Sequence, residues 1–267
     1  MPISDYYDGL DRISEDNGST DFFKLSPSSA ADFFLSSRQW YGQHLLGEPK
    51  FEGSDSTILG TIVHYFAEQA SLRLKPENPD KLVADFLSTQ KVESPAEIQA
   101  LWKDMSNELI KGCIHGHPKP LATEQFMFHK LLPGIYVGGT TDAIVDLGNG
   151  TVSIRDYKTA STKPSGISYA YRLQAHIYAF LATHYLGHKV SQIELQFVTR
   201  PTKTLPCRHF SFTEPFTEEN LATITDQLQL IAESVDFWNK NPDLRYLLAQ
   251  DLRLKPQPKK KPLFLKD

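Results

Sequence analysis

Residues Gly138 to Lys158 constrain this chain more than any other stretch. Two runs rich in β-branched residues, Thr140 to Leu147 and Thr151 to Lys158, flank Gly148-Asn149-Gly150. An Asn-Gly pair between such runs is the strongest short-range hairpin signal a sequence offers. Side chains alternate between the faces of a strand, so Asp156 and Lys158 point the same way. Asp142 lies on the partner strand, farther from the turn than Asp146, where it can converge with the Asp156 carboxylate. Two carboxylates and a lysine gathered by a hairpin make a site for a hard divalent cation with a cationic side chain beside it.

Composition sets the frame. With 267 residues the chain can bury a full core. Its 40% hydrophobic and 22% charged residues are those of an ordinary globular protein. A net charge of −4 argues against an all-basic surface yet leaves room for a local cationic groove. Cys113 and Cys207 are the two cysteines. They cannot build a disulfide scaffold, a four-cysteine zinc site or a four-cysteine iron–sulfur cluster within one chain. No apolar run is long enough to span a bilayer, so no membrane partner is expected. The first residues are acidic, unlike a secretory signal or a transit peptide. The expected location is the cytoplasm of a bacterium or of a phage-infected host.

Residues 1–24 read as a flexible acidic arm. Ser26 can cap a helix, with Pro27 in its first turn, that runs on through Phe33 and Trp40 toward Tyr41. Core packing is the plain account of those aromatics; the functional one has Arg38 and Tyr41 touching a nucleic-acid strand. A further helix around Ile58–Glu68 stacks His64 and Glu68 on one face, four residues apart. Helices near 81–89 and 95–112 complete a helical part, residues 25–120. A sheet core follows over residues 121–213: a strand at 123–130, the hairpin, and a strand pair near 193–200 and 207–213. Between them a helix over 169–185 carries Gln174 and Tyr178 on one face and Leu173, Ile177 and Leu181 on an apolar stripe. Glu218 and Glu219 open a helix over 217–240. A basic tail, residues 251–267, then offers contact with a phosphate backbone or docking of Leu263–Leu265 into a partner. The expected fold class is α/β: a mixed central sheet flanked by helices, with a helical N-terminal half.

An Asp-x-Lys on a strand is more often a surface ion pair than a catalytic motif. Five ordered motifs change that weighting. Asp142 with Asp156-Tyr157-Lys158 resembles the core motif of the PD-(D/E)xK nuclease superfamily. Leu59-Gly60-Thr61-Ile62-Val63-His64 resembles the helical histidine motif of its RecB-like branch. Gly138 through Ile144 and Ile154 through Thr159 resemble the two acidic strands, and Gln174-Ala175-His176-Ile177-Tyr178 the glutamine–tyrosine helix that follows. Leu25 through Tyr41, with Leu46-Gly47, is similar to the N-terminal helix, so the resemblance spans about Leu25 to Arg200. Thr141 stands where the motif's proline would be, without chemical cost. Ser37-Arg38 and Gln39-Trp40 stand where cluster-bearing relatives have Cys-Pro, so no iron–sulfur cluster is implied.

The resemblance implies a restriction-endonuclease-like fold and a metal-dependent exonuclease of the RecB-like, phage-type or genome-maintenance kind. Asp142 and Asp156 are the expected direct ligands of Mg²⁺ or Mn²⁺, as one or two ions, with the Tyr157 carbonyl as a candidate. His64 is a ligand by resemblance, and its imidazole favours Mn²⁺. Lys158 would orient water or offset phosphate charge, and Gln174 would position Lys158 or the phosphate. Tyr178, Arg38 and Tyr41 are candidate substrate contacts, with bases stacking on Trp40, Tyr41 or Tyr178. Glu68 and Glu124 are candidates for the layer behind the ligands. Asp146 is expected to face solvent, and His176 to turn away from the site. The implied partner is DNA, single-stranded or with a free end, in recombination, repair or replication. A recombinase or a single-strand-binding protein is a candidate partner for the tail. Three other readings stay open: a structure-specific or restriction-type endonuclease, a non-catalytic DNA-binding subunit, and a hydrolase of another phosphate ester.

Overall fold

A computed structural model describes residue 3 and residues 9–49 and 53–249 of the chain. In order these form α1 (Leu10–Asn17), β1 (Phe23–Leu25), α2 (Pro27–Leu35), α3 (Ser37–Leu45), α4 (Asp55–Ser71), α5 (Pro79–Ser88) and α6 (Pro95–Cys113). Then come β2 (Ala122–Leu132), β3 (Ile135–Asp146), β4 (Val152–Ala160), α7 (Tyr169–Leu186), β5 (Val190–Thr199), β6 (Arg208–Pro215), α8 (Glu218–Lys240) and a 3₁₀ segment, Pro242–Ala249. The basic tail, residues 251–267, lies outside the described residues.

The six strands make one mixed sheet. β2 runs antiparallel along one edge of β3 for most of its length. The other edge of β3 is divided: Ile135–Val137 pair in parallel with β1, and Ala143–Asp146 pair antiparallel with β4. β4 pairs in parallel with β5, and β5 antiparallel with β6. The parallel β4–β5 step needs a crossover, and α7 supplies it.

Two cores sandwich the sheet. On one face α2, α7 and α8 pack Phe33, Leu173, Ile177, Leu181, Leu228 and Ile231 against Ile144, Ile154 and Leu195. On the other, α4, α5 and α6 pack Ile62, Phe66, Trp102, Met105 and Leu109 against Tyr157 and Val198. The alternation of β4 explains the division, since Ile154 and Tyr157 lie on opposite faces. Under α6 a buried ion pair, Arg155 to Glu194 at 2.8 Å, adds a bond from Arg155 to the Cys113 carbonyl at 2.8 Å. The β3–β4 hairpin forms as its sequence predicts, closed by Gly148 and Gly150, whose φ values of 75° and 77° suit glycine.

Two expectations need correction. The acidic arm is ordered over residues 10–25: Ile13 on α1 is fully buried against Phe126 and Tyr136, and β1 joins the sheet. Its few apolar residues, too sparse to show periodicity, are enough once the sheet edge offers a surface. The first long helix is two, α2 and α3, because the Ser36 backbone leaves the helical region at φ −154°, ψ 67°. That break lets the Trp40 ring meet the Phe33 ring edge-on at 5.1 Å.

Candidate active site

The site forms where β3 and β4 stop pairing. Their ladder ends at Ala143–Arg155. Two residues farther along β4, the Tyr157 amide donates to Asp142 Oδ2 at 2.5 Å. A side-chain carboxylate thus takes the place of a main-chain carbonyl. α4 brings His64 to the same carboxylate, with His64 Nδ1 3.1 Å from Asp142 Oδ1. The helix is anchored by buried Leu59, Ile62, Val63 and Phe66, which leaves His64 on the flank facing the gap.

Asp156 and Lys158 share a face of β4, as strand alternation requires, and meet at 2.6 Å. Lys158 Nζ also donates to Gln174 Oε1 at 3.0 Å and stands 5.0 Å from the centre of the Tyr171 ring. α7 buries its Leu173, Ile177 and Leu181 stripe, which turns Gln174 toward Lys158. Tyr178, 7% exposed, packs beside Gly139. A Cβ on Gly139 would lie 2.7 Å from Pro27 Cδ and 3.3 Å from the Tyr178 ring, so only glycine lets β3 pass between them.

Glu124 stands across from Asp142, because Thr123 pairs with Ala143 and Gln125 with Thr141. Its φ of 45° is left-handed, a costly conformation for a side-chain-bearing residue inside a strand. One ligand atom from each of His64, Glu124 and Asp142 lies within 4.8 Å of the other two. Asp156 is not part of that compact group among the described residues; its carboxylate faces Lys158.

Charge follows from burial and neighbours. Burial pulls the His64 pKa down, but the Asp142 carboxylate outweighs it and the net shift is upward. Burial pushes Asp142 up, and His64, Lys158 and the Tyr157 amide more than offset this, so Asp142 is held low. Burial and then the Asp142 charge push Glu124 up to about 8. Burial lowers Lys158, and the Asp156 and Asp142 carboxylates reverse that, keeping it cationic. A crowded set of carboxylates with one imidazole is chemically suited to a divalent cation. Oxygen donors suit Mg²⁺, and the imidazole shifts the set toward Mn²⁺.

The other sequence candidates fall elsewhere. Trp40 is 1% exposed and belongs to the core, so it offers no face to a base. The Tyr41 hydroxyl bonds Ser234 Oγ at 2.6 Å, and its ring packs against Phe33 and Trp40. Arg38 is bound through both terminal nitrogens to Glu48, at 3.2 and 3.0 Å. Trp40 is a packing residue, a correction to the expected base stacking on it, and the half-buried Tyr41 ring lies against it. Glu68 lies one helical turn beyond His64, with its pKa raised by burial, and bears electrostatically on Glu124. Asp146 faces solvent, and His176 packs against Phe216, 5.3 Å between ring centres. Tyr171, which the sequence reading passed over, sits three residues before Gln174 and so shares its helical face.

A divided β3 edge, a splayed β3–β4 pair and an Asp, Asp, Lys and His set define a nuclease of the mixed-sheet, carboxylate–lysine class. The chain belongs to the PD-(D/E)XK nuclease superfamily, whose profile matches residues 24–259. The fold is shared with a candidate exonuclease from Eubacterium rectale at 14% identity and a TM-score of 0.53, covering 87% of this chain and 86% of that one. An alkaline exonuclease from Laribacter hongkongensis matches at 13% identity and a TM-score of 0.41, over 88% of this chain and 100% of that one. The structure of that exonuclease in complex with dAMP matches at 15% identity and a TM-score of 0.37, over 83% of this chain and 94% of that one. No curated protein matches the sequence. Among the described residues no helix is long and apolar enough to cross a membrane.

Proposed function

We propose that this protein is a divalent-metal-dependent exonuclease that hydrolyses phosphodiester bonds at DNA ends, with a preference for single strands. The observation that carries this reading is the meeting of Asp142, His64, Asp156 and Lys158 at the β3–β4 split in a chain of nuclease ancestry. The depth of the site supports the strand preference. Asp142 is 8% and Asp156 3% exposed, and a flexible single strand reaches buried carboxylates more readily than a rigid duplex.

His64, Asp142 and Asp156 are the groups we assign to the ion. A divalent ion supplies, when bound, charge to neutralise the crowded phosphate and a lowered pKa for the attacking water. Lys158 carries a fixed positive charge that orients the water or offsets charge on the phosphate. Gln174 holds the Lys158 ammonium in place, and Tyr178 lines the path of the strand. Recombination, repair or replication of a phage or bacterial genome is the setting such an activity fits.

End-labelled single- and double-stranded DNA, incubated with Mg²⁺ or Mn²⁺, tests the proposal directly. The protein should release label from ends, faster from single strands, and spare a covalently closed circle; Asp156→Ala should be inactive. Cutting of the closed circle would replace the exonuclease reading with an endonuclease one. Equal activity in EDTA would end the metal-dependent reading.

A further inference from the structure

The sequence places Glu124 behind the ligands, and the assignment proposed above gives the ion to residues of α4, β3 and β4. We infer that Glu124, from β2, is a direct ligand of the divalent ion, alongside His64 and Asp142. The inference rests on the proposed metal-dependent activity and extends it to a third strand.

Three observations carry it. The first is distance: one donor atom from each of His64, Glu124 and Asp142 lies within 4.8 Å of the others. Donors sharing one ion at roughly 2.0–2.3 Å stand about 3–4.5 Å apart, so a small closure suffices. The second is register. Glu124 is the residue of β2 directly opposite Asp142, on the edge of β3 that faces away from β4. The third is the contrast with Asp156. The Asp156 carboxylate already meets a cation, Lys158 Nζ, at 2.6 Å. Glu124, half-buried, stands instead beside the Asp142 carboxylate and the His64 imidazole, with no lysine or arginine in that compact group. An ion placed among the three would take one imidazole and two carboxylate donors at once.

The left-handed backbone at Glu124 fits the same picture. Glu124, with φ 45°, is the residue of β2 that takes a positive φ, and the ladder with β3 passes over it between the Thr123–Ala143 and Gln125–Thr141 pairs. Glycine would relieve the conformation, so a side chain is kept there at a conformational cost.

Crystals of the full chain soaked in Mn²⁺ test the assignment by anomalous scattering. The expected peak lies within coordinating distance of the Glu124 carboxylate as well as of Asp142 and His64. Calorimetric titration should show Mn²⁺ affinity falling about a hundredfold in Glu124→Gln, a loss at the upper end of that seen for groups outside the ligand shell. Melting in EDTA should show that variant folded. If Glu124→Gln does not fold, Glu124→Asp, which keeps the charge on a shorter arm, should bind Mn²⁺ with intermediate affinity. A peak that leaves Glu124 out of reach, or wild-type affinity in the Gln variant, overturns the inference. DNA digestion dependent on Mn²⁺ would then still uphold the metal-dependent function, whereas a wild-type protein that binds no Mn²⁺ would take down both.

Discussion

The Tyr157 amide and the Asp142 carboxylate meet at 2.5 Å at the point where β3 and β4 part. Asp142 therefore has a structural task beside the catalytic one we propose for it: one oxygen ends the ladder and the other holds His64. Asp142→Ala should abolish nuclease activity. It should also destabilise the fold by about 1–3 kcal/mol, because it leaves a buried amide unpaired. Thermal melts in EDTA check the second effect separately from the first, and an unchanged midpoint would show that another acceptor serves Tyr157.

His64 gives a pH dependence with opposite signs for folding and for ion binding. Its pKa is net raised, as Asp142 outweighs burial. Its pairing with Asp142 therefore stabilises the ion-free protein fully below the ordinary histidine range, and that contribution is lost as pH rises through the raised folded value. Ion binding needs the neutral imidazole, so Mn²⁺ affinity should climb as pH rises from the ordinary histidine range through the raised His64 value. Titration calorimetry across that range should show the climb in the wild type and a flatter curve in His64→Ala.

Lys158 and Gln174 should separate in kinetics. Lys158→Met removes the buried charge proposed to act on the phosphate and should cost about 10²–10³ in kcat, as loss of a fixed electrostatic group does. Gln174→Leu leaves Lys158 its Asp156 contact and should cost less. Single-turnover digestion of labelled DNA measures both. Equal losses would mean that Gln174 touches the substrate itself.

Trp40 and Tyr41 should behave as core residues. Trp40→Ala should destabilise by about 3–5 kcal/mol. Tyr41→Phe, which removes only the bond to Ser234, should cost about 0.5–1.5 kcal/mol and leave single-strand affinity unchanged. Fluorescence anisotropy with a labelled oligonucleotide decides whether affinity moves.

The Arg155–Glu194 pair is buried to 8% and 9% side-chain exposure. Breaking it in Arg155→Met alone should cost about 3–5 kcal/mol, whereas Arg155→Met with Glu194→Leu should recover much of that loss. A double-mutant cycle of denaturant melts tests this. A double variant no more stable than the single one would show that the Arg155 bond to the Cys113 carbonyl dominates.

Most of the elements were legible in the sequence because their signals are local. The Asn-Gly turn, Ser26 before Pro27, the acidic start of α8 and the apolar stripe of α7 each set dihedrals or buried faces within a few residues. Alternation likewise put Asp156 and Lys158 on one face of β4, and motif resemblance brought in His64. What needed the tertiary structure is where strands separate and which chain fills a shared edge. Residues 10–25 look unstructured alone and become ordered against β2 and β3. Trp40 and Tyr41 read equally as stacking platforms or as core until α8 and the 3₁₀ segment are seen beside α3. Glu124 is one acidic residue on a strand until the register sets it opposite Asp142 with a left-handed backbone. Periodicity along one chain reports which face a side chain takes; convergence of β2, β3, β4 and α4 depends on pairings across dozens of residues, which only folding fixes.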